Sequence, residues 1–189
     1  MPASQPYATI EGLSYIGHFI TVEEEKLLLT AIDAGVWLHD LKRRVQHYGY
    51  KYDYKARRID LNMKIGQLPN WLEGIAQRLK SEGFFQEAPD QVIVNEYQPG
   101  QGISAHIDCE PCFADTIVSL SLNSVAVMEF SKKGEKLPCL LVPRSIVALT
   151  KEARYHWMHC IPARKKDVFE GRVYHRQRRV SLTFRKVIL

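Results

Sequence analysis

The chain has 189 residues, 46% of them hydrophobic and 25% charged, with a formal net charge of +5. These values are ordinary for a globular protein and exclude a disordered, collagen-like or coiled-coil chain. No apolar run approaches the ~20 residues that a membrane-spanning helix needs, and Met1 to Thr9 lacks the basic-then-apolar pattern of a secretory signal. One domain over residues 1–189 is expected, in a cytoplasmic or nuclear setting, as a monomer and with no membrane partner. Cys109, Cys112, Cys139 and Cys160 are too few for a disulfide scaffold at this size and are expected as reduced thiols.

In chain order, the first element begins at Thr21-Val22-Glu23-Glu24, a capping box. The helix it starts should place Leu27, Leu28, Ala31 and Ile32 on one face and stop at Gly35. Residues 42–58 then carry seven bases against one acid. Lys42-Arg43-Arg44 precedes His47, Tyr48, Tyr50, Tyr52 and Tyr54, and Arg57-Arg58 follows. Bases interleaved with aromatic rings can hold phosphates and stack nucleobases; the same alternation describes a half-buried hairpin. A second helix is predicted over Asn70–Ser81, with Leu72, Ile75 and Leu79 on its inner face, Pro69 before it and Gly83 after it. Beyond residue 90 the pattern changes to strands, over Gln91–Tyr97, Ile103–Asp108, Thr116–Leu122, Val125–Phe130, Leu140–Val142, Ile146–Thr150 and Val180–Val187. Closely spaced strands behind two helices predict a mainly β protein, with N-terminal helices packed on a jelly-roll barrel. The last 39 residues add eleven bases against three acids, a second basic segment that suits a polyanionic partner or a solvated face.

Three features carry chemistry. In His106-Ile107-Asp108 an imidazole and a carboxylate stand two apart, on one face of a strand, so both can reach one ion. A third ligand must come from downstream, where His156, His159 and His175 are the candidates. Two histidines and one carboxylate form the facial triad of non-haem Fe(II) oxygenases, which leaves positions open for co-substrate and O₂. Cys109-Glu110-Pro111-Cys112 has zinc-like spacing but no second pair to complete a site. In Arg179–Arg185, Arg179, Ser181, Thr183 and Arg185 share one face, opposite Val180, Leu182 and Phe184. If the aliphatic side packs in a core, both arginines turn inward, and each needs an anion. They stand about 20 Å apart along an extended strand, so a protein carboxylate for one and a dicarboxylate ligand for the other is an economical solution. Asn95 and Tyr97 alternate onto one face with Ile93, placing an amide and a phenol where a bound anion could accept from them.

Together, Val94-Asn95-Glu96-Tyr97-Gln98-Pro99-Gly100, His106-Ile107-Asp108, Arg154–Ile161 and Arg179–Arg185 follow the order N-x-Y-x-P-G, H-x-D, distal histidine, R-x5-R. In that order the chain resembles the AlkB family of Fe(II)/2-oxoglutarate dioxygenases from about Tyr15 to its C-terminus, including Arg44–Tyr50. The resemblance implies a double-stranded β-helix (jelly-roll) core with a nucleotide-recognition lid, placed at residues 36–66. It implies Fe(II), 2-oxoglutarate as co-substrate and O₂. His106, Asp108 and His159 match the iron ligands. Arg179 matches the arginine that meets the distal carboxylate of 2-oxoglutarate, with Asn95 and Tyr97 assisting, and Arg185 matches the second arginine, near the metal. Glu110 matches an acid that touches the substrate base in repair members. Arg44, Tyr48, Tyr50 and Tyr52 are the lid residues expected against the substrate, with Lys42, Arg43, Arg57 and Arg58 on phosphates.

The activity implied first is oxidative demethylation of 1-methyladenine and 3-methylcytosine in DNA or RNA, with formaldehyde released and the base flipped or single-stranded. The alternative is hydroxylation of a modified wobble uridine in tRNA, because the lid and Asp115–Leu120 look most like that branch. Glu110 weighs for repair, since a carboxylate can accept from the exocyclic amine of adenine or cytosine and repels a uracil carbonyl.

Overall fold

The computed structural model describes residues 9–189. Its first helix, α1 (Val22–Ala34), starts at the expected box: Glu24 N–H donates to Thr21 Oγ1 (3.1 Å) and Thr21 N–H to Glu24 Oε2 (2.8 Å). Its buried face is Glu25, Leu28 and Ile32. Leu27, expected on that face, is 71% exposed, because it sits one residue, about 100° of helix, away from Leu28. α2 (Asn70–Ser81) has the expected bounds and buries Leu72, Ile75, Ala76 and Leu79.

The strands form two main antiparallel sheets. The larger contains β1 (Leu13–Ile16), β2 (Val45–Tyr48), β3 (Gln91–Tyr97), β5 (Phe113–Leu122), β8 (Ile146–Leu149) and β12 (Arg179–Val187), in the order β1-β8-β5-β12-β3-β2. The smaller contains β4 (Ile103–His106), β6 (Ala126–Lys132), β7 (Glu135–Leu141) and β9 (Met158–Ile161), ordered β4-β9-β6-β7. A hairpin of β10 (Lys166–Phe169) and β11 (Arg172–His175) stands apart, and a short helix, α3 (Lys151–Tyr155), leads into β9. This is the jelly-roll architecture. β1, β2, β9, β10, β11 and α3 were not expected from the sequence. They are four or five residues long, too short for an internal period to mark them; β1, β2 and β9 are defined by partners distant in the chain, and β10 and β11 by each other. Among the described residues no helix is long and apolar enough to cross a membrane.

The larger sheet separates two apolar clusters. On its outer face Val92, Val94, Val118, Leu120, Leu122, Val180, Leu182 and Phe184 meet Leu28, Ile32, Leu72, Ile75 and Leu79 of the helices. On the inner side Ile117, Val147 and Leu149 face Met128, Phe130 and Ile161 of the smaller sheet. Burying the outer set commits β3 and β12 to turn their alternate, polar residues into the space between the sheets. The register pairs Arg179 with Tyr97 and Ser181 with Asn95, so these four converge at one end. Gly102, in the loop from β3 to β4, lets that loop lie against β9: a Cβ there would stand 2.1 Å from the Ile161 carbonyl oxygen.

Segment 36–66 contributes β2 to the sheet edge and then folds across the open end. Here His47 is half-buried, its Nδ1 accepting from the Tyr52 N–H (3.3 Å). Burial, then the nearby Arg185 and Lys51, push its pKa down to about 4. The unfolded chain, titrating near 6.5, takes the proton first. Neutral His47 therefore contributes stability that is fully present above about pH 6.5 and is lost as pH falls toward 4, on the order of 3 kcal/mol. His47→Phe keeps a ring against Tyr54 but cannot titrate. It should flatten the fall in urea midpoint between about pH 7 and 4.5, and equal slopes in the two proteins would refute the assignment.

Candidate metal and co-substrate site

Between the sheets lies a cavity of about 640 Å³. Its walls are the inward residues of β3, β5, β8, β9 and β12, and its mouth is covered by Leu41, Lys42, Arg43, Tyr52, Tyr54 and Arg57.

At one place on its wall His106, Asp108 and His159 each offer a donor atom within 4.8 Å of the others. β4 pairs His106 directly with His159 on β9, and their ring centroids are 4.4 Å apart. His106 Nδ1 lies 2.8 Å from the Ser104 carbonyl oxygen, an acceptor that favours the tautomer with Nδ1–H donating to it and Nε2 free to ligate. His159 is buried, with Nε2 3.4 Å from Asp108 Oδ2. Burial, reinforced by His106 alongside, pushes the His159 pKa down to about 3, so its ring is neutral and ready to bind a cation. For Asp108 burial acts upward, but Arg185 and the two histidines outweigh it and hold the carboxyl well below the usual range. Arg185 donates to Asp108 Oδ1 from Nε (2.8 Å), holds Nη2 2.6 Å from the same oxygen as an ion pair, and donates to Gln91 Oε1 from Nη1 (3.3 Å). Two imidazoles and one ionised carboxylate, converging on a cavity wall, fit a divalent iron that keeps open positions. His156, the other candidate, is exposed beside Glu152 on the far side of α3.

Arg179 occupies a different part of the wall and is 3% exposed. Nη2 donates to Ser121 Oγ (2.8 Å), Nε has no partner, and no carboxylate pairs with it among the described residues. Burial lowers its pKa to about 10, and the guanidinium remains charged at neutral pH. Its Cζ lies 5.5 Å from the Tyr97 ring centroid, and Arg43 sits 5.8 Å from the same ring. Asn95 Oδ1 accepts from Arg43 Nε (2.8 Å). The sheet thus presents two inward arginines, one neutralised by a protein carboxylate and one without an anion.

Several residues expected against the substrate lie elsewhere. Glu110 is exposed and outside the cavity, because β4 ends at His106 and a 3₁₀ turn over Glu110–Cys112 carries the side chain away. Arg44 is held by Glu96 and stacks 4.4 Å from the Trp37 ring centroid. Tyr48 packs edge-on against Trp71 beneath the helices, and its hydroxyl donates to Gln46. Tyr50 is buried in the inner cluster, with Lys64 over its ring. Of the three tyrosines, Tyr52 alone lines the cavity. Two further residues line the wall: Arg43, expected on a phosphate rather than in the cavity, and Tyr54, which sequence did not single out for the substrate. The Tyr54 hydroxyl is buried without a partner, and burial raises its pKa to about 12. The alternation Tyr48-Tyr50-Tyr52-Tyr54 contained Tyr54, but a strand period cannot separate them, since β2 stops at Tyr48 and the segment then turns. Cys109 and Cys112, expected as thiols, form a disulfide across the 3₁₀ turn, while Cys139 and Cys160 stay outside any disulfide. The turn sets their Cα atoms 5.3 Å apart, within bonding reach, which residue counting does not reveal.

The 2OG-Fe(II) oxygenase superfamily model matches residues 16–185. The chain is 40% identical to the Alkylated DNA repair protein ALKBH8 homolog of Arabidopsis thaliana, over 94% of this chain and 59% of that protein. It is 37% identical to tRNA (carboxymethyluridine(34)-5-O)-methyltransferase ALKBH8 of Macaca fascicularis, over 97% of this chain and 31% of that one. The chain therefore spans 59% of the first relative's length and 31% of the second's. The solved structure of OsALKBH1 superposes with a TM-score of 0.67 at 15% identity, covering 93% of this chain and 96% of that chain, a likeness of fold.

Proposed function

Because the chain belongs to the AlkB family of 2OG-Fe(II) oxygenases, dioxygenases that use Fe(II), 2-oxoglutarate and O₂, we propose that it hydroxylates a carbon on a modified uracil base in RNA. In this reading His106, Asp108 and His159 hold the iron. Arg179 meets the far carboxylate of 2-oxoglutarate, flanked by Tyr97 and Asn95, and Arg185 keeps Asp108 ionised and oriented. Bound there, iron with 2-oxoglutarate supplies an oxidation in which one atom of O₂ enters a substrate C–H bond and the other enters succinate as CO₂ leaves. Tyr52, Tyr54 and Arg43 close over the base and exclude water.

The observation that carries the choice of base is the charge of the wall. The one carboxylate lining the cavity is Asp108, already engaged by Arg185, whereas Lys42, Arg43, Arg57 and the Tyr54 hydroxyl are all donors. Uracil presents carbonyl oxygens that such donors can meet; adenine and cytosine present an exocyclic amine that needs an acceptor. With Glu110 in solvent, the acceptor on which base repair rested is missing from the wall. The relative named for a carboxymethyluridine at tRNA position 34 supports the same base, and an anionic substituent would suit the cationic mouth.

The test is succinate release on bulk tRNA carrying modified wobble uridines, against oligonucleotides carrying 3-methylcytosine or 1-methyladenine, with mass spectrometry of the product nucleoside. Turnover on the tRNA should exceed that on the methylated oligonucleotides by at least about tenfold, since a misplaced buried donor or acceptor discriminates strongly. Faster turnover on 3-methylcytosine would reinstate demethylation.

A further inference from the structure

Asp108 lies outside every strand. β4 ends two residues before it, β5 begins at Phe113, and the pairing of β4 with β9 is irregular between Ile103 and His106. Sheet hydrogen bonds therefore do not hold the backbone from which the carboxylate must reach the metal, although a ligand of this kind has to be placed to about 0.5 Å.

Arg154, on α3, does hold it. The side chain is 1% exposed, the largest of the fully buried ones. Nη1 donates to the Asp108 carbonyl (3.0 Å), Nη2 to those of Cys109 (3.3 Å) and Phe113 (3.4 Å), and Nε to that of Ala114 (3.4 Å). Among the described residues no carboxylate pairs with it. An unpaired buried charge is costly, and an apolar side chain of similar volume would fill the space more cheaply. What arginine alone offers is a planar fork of five donors, here spent on four carbonyls of one turn. Its own base is anchored: Arg154 N–H donates to the Thr150 carbonyl (3.1 Å), and Ala153 N–H to that of Glu11 (3.0 Å).

We propose that Arg154 is a positioning residue for the metal ligand Asp108: its guanidinium locks the backbone of the 108–114 turn while Arg185 orients the carboxylate. The proposal rests on the ligand assignment above and is independent of which base the enzyme oxidises.

The experiment is Co(II) binding to metal-free protein, followed by visible absorption, for the parent, Arg154→Lys and Arg154→Met. Lysine keeps the charge with a single nitrogen, and methionine removes the charge and keeps most of the bulk. Both variants should keep the parent's circular dichroism in the cold and bind Co(II) about 10–100-fold more weakly, the usual loss when a group behind a ligand is removed. A role in folding alone would lower the urea midpoint and leave the Co(II) affinity of the folded protein unchanged. Parent-like affinity in either folded variant overturns the proposal. Failure of both variants to fold overturns it as well, by making Arg154 a folding determinant. A parent protein that binds no Co(II) removes the ligand assignment itself, and the parent arm keeps that failure separate from failure of the arginine.

Discussion

His159→Ala should abolish turnover and Co(II) binding while leaving the metal-free protein folded and no less stable. The ring is buried, kept neutral by its surroundings, and its Nδ1 has no partner, so its removal costs the apo fold little. Loss of one of three ligands leaves two, which do not retain a divalent ion. Asp108→Ala should abolish the same activity but behave differently toward denaturant. It strands Arg185 in the interior without its carboxylate, a defect worth roughly 3–5 kcal/mol. His156→Ala, on an exposed side chain, serves as the control and should match the parent. Turnover and urea midpoints of the three variants decide the matter. Activity that survives in His159→Ala and disappears in His156→Ala would move the third ligand to His156.

Arg179→Met should raise the 2-oxoglutarate concentration for half-maximal turnover at least about 30-fold, because removing one partner of a buried charge pair costs about 2–5 kcal/mol. The same substitution should leave the ligand-free protein equally or more stable. Its guanidinium is paired with one hydroxyl, and burying it unpaired opposes folding. The two effects have opposite signs, which separates a ligand-binding arginine from a structural one. Arg185→Met should destabilise instead, since it deprives Asp108 of its counter-ion. An unchanged 2-oxoglutarate requirement in Arg179→Met, with a lowered urea midpoint, would place Arg179 in the scaffold.

The contrast between the two arginines was legible from alternation alone. If Val180, Leu182 and Phe184 packed in a core, Arg179 and Arg185 would face the opposite way, and two inward cations this far apart would need two separate anions; the burial of all three apolar side chains decides against a solvated face. The structure supplies one anion, Asp108, and sets no carboxylate against Arg179 among the described residues. Segment 36–66 was legible as basic and aromatic but not in its particulars. Arg44 finds Glu96 fifty-two residues away, and Tyr48 finds Trp71, and neither partner follows from local spacing.

Glu110 marks the same boundary within a few residues. A strand period carried past Asp108 would have aimed its carboxylate at the substrate. The chain instead breaks at Pro111, closes Cys109 onto Cys112 and turns the acid into solvent. Sequence by itself determined the limits of α1 and α2, the apolar face of α2, the inward polar rows of β3 and β12 and the donor types of the metal site, because each follows from the period of a single element and the cost of burying the wrong face. Tertiary structure alone decided which lid residues reach the cavity, where the 108–114 turn leads and that Arg154 spans it. Those depend on contacts between segments 40 to 60 residues apart, whose energies no local pattern contains.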